Sequence, residues 1–399
     1  MHEVPGAWRR AARGAGLLTA DGTAVPTIFA EMSALAARTG AVNLGQGFPD
    51  EDAPAPVLQA AHDAISSGRN QYSPGRGEPE LLHAVAAHQQ RFYGIRLDPE
   101  REVLVTAGAT EALAATVLAL VDAPEDEIVV FEPYYDAYAA LAALSGARLV
   151  TVPLRFPDFQ PDLTDLRRAV SDRTRLILVN DPHNPTGTVF APEVVAEIVR
   201  LAERHDAVIV TDEVYEHLTF EVAHVPIATS PGAAHRTLKI SSGGKTFRTT
   251  GWKVGWVTGP ERLVQAVLAV KQWLTYVNAA PFQPAIAVGL GLDDAFFSGI
   301  ADDLRQARDT LGVGLEAAGF AVSRPAGSYF TVADAAPLGA RDAAEFCREL
   351  AHRAGVVAIP LTAFASDAHR AEYATLVRFA ACKRLPVIEE ASARLAAAF

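Results

Sequence analysis

The chain has 399 residues, 50% of them hydrophobic, and a formal net charge of -12 at pH 7. That length exceeds what one small core organises and predicts two domains; the acidic balance leaves no cationic excess for nucleic acid or an anionic membrane surface. The two cysteines, Cys347 and Cys382, stand far apart without metal-ligand neighbours, which argues against a disulfide framework or a cysteine zinc site and fits a reducing cytoplasm.

The start carries a twin arginine, Arg9-Arg10, with no apolar signal core after it, so residues up to about Val25 are expected to form a mobile or partner-embracing arm. Beyond it, short apolar runs alternate with helical patterns. Strands are expected at residues 102–106, 127–131, 148–153, 175–180, 207–211, 237–241 and 255–258. The longest apolar stretch, residues 112–121, falls far short of the roughly 20 residues a bilayer span needs, and reads as a buried helix. The alternation predicts an α/β fold with a mostly parallel sheet flanked by helices. A large domain is expected over residues 50–290. A long amphipathic stretch, residues 293–318, then leads into a small mixed domain ending at Phe399, which packs with the arm and residues up to Pro49 (domains 1–49, 50–290 and 291–399).

Three loops carry chemistry, each at the end of an apolar run. Asn184 stands in Asn180-Asp181-Pro182-His183-Asn184-Pro185-Thr186-Gly187, a rigid turn with an amide donor and acceptor at its tip. Asp212, in Asp212-Glu213-Val214-Tyr215, lies at the carboxyl end of a buried strand, where open α/β sheets place ligands. A carboxylate there can keep a pyridinium nitrogen protonated, and Tyr215 can reach the phenolic oxygen of the same ring. The segment Ser241-Ser242-Gly243-Gly244-Lys245 is followed by Lys253. A nucleotide-binding P-loop would need glycine at position 239, which is Lys239, so that reading fails. A lysine in a desolvated pocket near other cations has a lowered pKa and can form an imine, while Ser242 and Lys253 hold a phosphate.

With Asn43-Leu44-Gly45-Gln46-Gly47-Phe48-Pro49, Gly108-Ala109-Thr110-Glu111-Ala112, Glu132-Pro133-Tyr134-Tyr135 and Leu376-Val377-Arg378-Phe379 added, the chain resembles the class I/II pyridoxal-phosphate aminotransferases of fold type I. Its pattern is most similar to their N-succinyldiaminopimelate, methionine and kynurenine branch. The likeness spans nearly the whole chain beyond the first two dozen residues. It implies pyridoxal 5'-phosphate as cofactor and a ping-pong reaction between an L-amino acid and a 2-oxo acid.

The resemblance also implies roles. Lys245 is the imine lysine and proton shuttle, Asp212 the pyridinium partner, and Asn184 with Tyr215 the pair on the phenolic oxygen. Tyr134 stacks on the cofactor, and Gly108, Ala109 and Thr110 open a helix whose N-terminus faces the phosphate. Arg378 forks the substrate carboxylate, helped by Asn184, and Gly47 lets the backbone approach it. Tyr72 crosses a homodimer interface to the partner's phosphate, so the site is shared between subunits. Phe29 is an aromatic specificity residue, and Arg248 a distal cation for an acidic acylated substrate. Lys253 stands where many aspartate-type relatives have arginine, a point charge in place of a planar fork. The same scaffold also supports carbon–sulfur beta-lyases, specialised cyclases or oxidases of secondary metabolism, and effector-binding domains. The last come fused to a DNA-binding segment, for which this acidic chain shows no basic stretch.

Overall fold

The computed structural model describes Val4, residues 6–19 and residues 21–399; residues 1–3, 5 and 20 of the expected arm lie outside the described residues. After the short β1 (Val42–Asn43) come β2 (Val103–Thr106), β3 (Glu127–Glu132), β4 (Arg148–Pro153), β5 (Thr174–Asn180), β6 (Val208–Asp212), β7 (Thr237–Ser242) and β8 (Gly255–Thr258). Those seven later strands form one sheet in the order β2-β8-β7-β6-β5-β3-β4. Only β8 runs against its neighbours, β2 and β7. Each strand lies within one residue of its expected ends.

Apolar runs work here because the sheet is covered on both faces. Alternation sends Ile128, Val130, Leu178, Val210 and Ile240 to one side, where they pack under helices Gly108–Leu120 and Glu261–Lys271. Val129, Phe131, Ile177, Val179 and Ile209 face the other side and helix Pro192–Arg204. A slip of one residue in any of these strands would exchange the two cores.

The second layer begins after helix Asp294–Ala317, capped by the Asp293 carboxylate accepting from Phe296 N at 2.9 Å, a contact worth about 1 kcal/mol. β9 (Ala321–Val322), β10 (Phe330–Asp334), β12 (Ile359–Pro360) and β13 (Leu376–Ala380) form a four-stranded antiparallel sheet. β11 (Val356–Val357) pairs in parallel with β1, which ties residues 42–43 to the C-terminal layer.

The described part of the arm departs from expectation. Helix Trp8–Gly14 is docked on helix Ala137–Ser145 of its own chain. Small residues permit this contact: a Cβ at Gly14 would lie 2.6 Å from Ala139 O and 2.8 Å from Ala143 Cβ. Among the described residues no single helix is long and apolar enough to cross a membrane.

Candidate active site

The carboxyl ends of β5, β6 and β7 converge on one cavity of about 220 Å³. Asn180, Asn184, Asp212, Tyr215, Ser242, Lys245 and Lys253 line it together with residues 108–110. The order of the strands produces this meeting: Asp212 and Asn180 are register partners across β6 and β5, and Asp212 pairs with Ile240 of β7.

Lys245 sits on the short helix Gly243–Thr246 that continues β7. Its Nζ contacts Gly47 O at 3.3 Å. Burial lowers its pKa, and the Arg378 and Lys253 charges push the same way against Asp212. Asp212 has one oxygen bonded to the Tyr138 hydroxyl at 2.7 Å, while its Oδ1 is buried without a partner. Burial raises this carboxyl to about 6. An orphaned carboxylate oxygen costs roughly 1–3 kcal/mol or more, so its retention inside a cavity marks a place for a ligand donor. Burial also lifts the Tyr215 hydroxyl well above its usual pKa, leaving a neutral phenol facing Tyr329.

At the opposite end, helix Gly108–Leu120 points free N–H groups into the cavity. Gly108 has φ +74°, and a Cβ there would lie 3.3 Å from Lys253 Nζ. The ammonium and the helix terminus thus share one anion cradle, with Ser242 on its wall.

Arg378, on β13, arrives from the C-terminal layer. Nη1 donates to Asn184 Oδ1 at 3.1 Å and Nη2 to Gly45 O at 2.6 Å, while Nε is buried without a partner. The guanidinium lies 4.2 Å, 4.6 Å and 5.6 Å from the ring centroids of Phe330, Phe364 and Phe29. Burial lowers its pKa to about 10, which leaves it cationic at neutral pH. Gly47 belongs to the same pocket, where a Cβ would strike Phe330 Cζ at 2.8 Å. Its carbonyl also accepts from the Tyr329 hydroxyl at 2.6 Å. In the turn after β5, Gly187 has φ +72° and no room for a Cβ beside Pro325, so glycine is required there.

Two expected residues stand elsewhere. The ring on the cavity wall belongs to Tyr135, beside Thr110, and Tyr134 is turned away into a chamber beside Phe29 and Arg370. The Tyr134 backbone N–H is fixed to Phe364 O at 2.8 Å, which sets that direction. Arg248 does not line the Arg378 pocket; it pairs with Glu51 at 2.7 Å and borders a separate cleft next to Lys245. Tyr72 is 82% exposed and packs edge-on to Tyr276, outside the cavities of this subunit. Phe29 does line the Arg378 pocket. Sequence reading missed Tyr135, Tyr138, Asn180 and Asp136. Tyr135 and Tyr138 carry a usable signal, an aromatic pair at helical spacing in the motif after β3.

An unpaired amine beside an unsatisfied carboxylate, with an anion cradle on one side and an arginine fork on the other, defines a class of transferases. Over residues 39–386 the chain matches the family described as aminotransferase class I and II, and it belongs to that family. It is an aminotransferase, an enzyme acting on amino acids and 2-oxo acids. It is 51% identical over 379 residues to a probable N-succinyldiaminopimelate aminotransferase of Mycobacterium tuberculosis, covering 92% of this chain and 95% of that one. The methionine aminotransferase of Escherichia coli is 38% identical over 342 residues, with 86% and 88% covered. Among solved structures, that of N-succinyldiaminopimelate aminotransferase from Mycobacterium tuberculosis superposes with a TM-score of 0.92 at 48% identity, both chains covered in full.

Proposed function

We propose that this enzyme holds pyridoxal 5'-phosphate and transfers the amino group of N-succinyldiaminopimelate to a 2-oxo acid by a ping-pong cycle. The observation that carries the cofactor reading is the orphaned Oδ1 of Asp212, opposite an anion cradle and flanking a lysine of lowered pKa. The substrate reading rests on the 51% identity to the mycobacterial relative. Asp136, on the wall of the Arg378 pocket, adds an acceptor for the N–H of an acylated side-chain amine.

Ser242, Lys253 and the N-terminus of helix Gly108–Leu120 would hold the phosphate, and Tyr135 would cover one face of the ring. When bound, the cofactor supplies an electron sink for the charge left at the substrate Cα. Asp212 holds a proton at the ring nitrogen, and Asn184 and Tyr215 hydrogen-bond the phenolic oxygen. Arg378 forks the substrate carboxylate with its two terminal nitrogens. Lys245, its pKa lowered by burial, would remove the substrate Cα proton and hand it to the carbon that carries the cofactor's aldehyde.

A homodimer fits the exposed apolar surface around Tyr72, Tyr276 and Trp273, the last 81% exposed. Sedimentation velocity tests it, and a monomer at micromolar concentration would refute it. For the reaction, the purified protein is incubated with pyridoxal phosphate, 2-oxoglutarate and separate amino donors. Paired amino acid and 2-oxo acid are expected, with kcat/KM for N-succinyldiaminopimelate above those for methionine and kynurenine. Equal values overturn the substrate reading; ammonia with pyruvate would point to a lyase.

A further inference from the structure

Behind the reactive pocket the protein buries a second group of charges that the reaction does not use. Alternation along β7 puts Ile240 on the face of Asp212, its register partner, and sends Lys239 and Ser241 to the opposite face. Lys239 is 2% exposed. Its ammonium lies 2.6 Å from Glu216 Oε2, 3.1 Å from Glu213 Oε2 and 2.9 Å from Gln89 Oε1, and 4.3 Å from the centre of the Tyr93 ring. The Ser241 hydroxyl donates to Glu216 Oε1 at 2.6 Å, and His224 Nε2 to Glu213 Oε2 at 2.7 Å. Asp181 stands close enough to act on His224.

His88, Glu216 and His217 bring their ligand atoms within 4.8 Å of one another, which invites a metal reading. The geometry opposes it. The Lys239 ammonium already fills the cation position at Glu216, and the His88 and His217 ring nitrogens, 2.6 Å apart, share a hydrogen bond. Two nitrogens on one zinc ion would each stand about 2.0–2.1 Å from it and further from each other. The cluster is an ion network.

Its position gives it a task. Glu213 and Glu216 belong to the same turn as Asp212 and Tyr215, with the second pair turned into the cavity and the first toward Lys239. β7 in turn leads to Lys245. Lys239 therefore ties the strand that delivers the reactive amine to the turn that delivers its two partners. We propose that Lys239 is a positioning residue, whose ammonium balances Glu213 and Glu216 so that Asp212 stays ionised and aligned opposite Lys245. It touches neither substrate nor reacting atoms. Glu213, next in the chain, already favours protonation of Asp212, and burial does so more strongly. Loss of the ammonium would leave Glu216 without its counter-ion and Glu213 with His224 alone, and Asp212 would take up the proton it must hold at the ring nitrogen.

This inference rests on the cofactor reading above, and its test separates the two. The protein is loaded with pyridoxal phosphate, and its visible band is followed through a pH titration in the wild type, Lys239→Met and Glu216→Gln. An uncompensated buried anion favours the protonated form of groups in its field, and an uncompensated cation disfavours it. The midpoint is expected to rise by about one pH unit in Lys239→Met and to fall by a similar amount in Glu216→Gln. Opposite shifts cannot arise from general loosening. Midpoints equal to wild type, or displaced in the same direction, overturn the inference. Should Lys239→Met fail to fold, Glu216→Gln decides alone: a lower midpoint supports the inference, and an unchanged or higher one overturns it. A wild type with no visible band overturns the cofactor reading itself and this inference with it.

Discussion

Lys239 and Lys245 stand six positions apart, one buried on β7 and one half-buried just past it, yet their surroundings treat them in opposite ways. On the network face, burial pulls Lys239 down, but Glu213 and Glu216 outweigh it and hold the amine above its ordinary pKa. On the cavity face, among the described residues, no carboxylate comes within bonding distance of Lys245, whose amine contacts the Gly47 carbonyl, and burial lowers its pKa. Desolvation alone makes a lysine reactive; desolvation with counter-ions makes it a strut. Lys239 lies on β7 and Lys245 on the short helix that follows it, so each amine meets different surroundings.

Five substitutions sharpen this contrast. Lys245→Ala should lower turnover about 10³-fold or more, with the stability of the cofactor-free chain at pH 7 unchanged or higher, read by thermal unfolding. Lys239→Met should do the reverse at the level of folding, losing about 3–5 kcal/mol in denaturant titration because two anions lose their partner. Comparable stability losses in the two variants would break the contrast.

Asp212→Asn tests the orphaned carboxylate. Asp212 titrates at about 6 when folded, against 3.8 as its ordinary value. Between those values the folded chain binds the extra proton, so its stability falls as pH rises from about 4 to about 6 and stays lower above. The amide cannot ionise, so the cofactor-free variant should be more stable than wild type at pH 7 by about 3 kcal/mol, converge with it near pH 4, and turn over poorly. A variant less stable at pH 7 would contradict this account. Arg378→Lys removes the fork and should lower kcat/KM by about 10- to 100-fold. The smallest effect belongs to Arg248→Ala: its ion pair with Glu51 is partly exposed, so the loss should stay below about 1 kcal/mol, with kcat/KM for acidic and neutral donors altered equally. A selective loss for acidic donors would restore Arg248 as a distal cation.

Much of the site was legible because its signals are local. Apolar runs marked all seven strands, and the residues just past them, Asn184, Asp212 and Lys245, fall at the cavity because parallel strands deliver their carboxyl ends to one edge. The choice between the adjacent Tyr134 and Tyr135 had a weaker local signal, the helical spacing of Tyr135 to Tyr138. Only the bond from Tyr134 N to Phe364 O, bridging two layers, decides that Tyr135 faces the cavity. Arg248 misled for a related reason: nearness in sequence to Lys245 said nothing about Glu51, which holds its guanidinium at a different cleft.

The amino-acid order by itself determined the strand succession and set Lys245, Asp212 and residues 108–110 at strand ends and a helix start, since each depends on hydrophobic runs and turn residues acting over a few positions. The folded chain alone decided which side chains share a space. Arg378 reaches Gly45 across 333 residues of sequence, and Lys239 meets Glu216 only after β6 and β7 have paired. Charge balance and side-chain direction inside a packed core are properties of such long-range meetings, because burial and counter-ions are supplied by whichever elements the fold brings together.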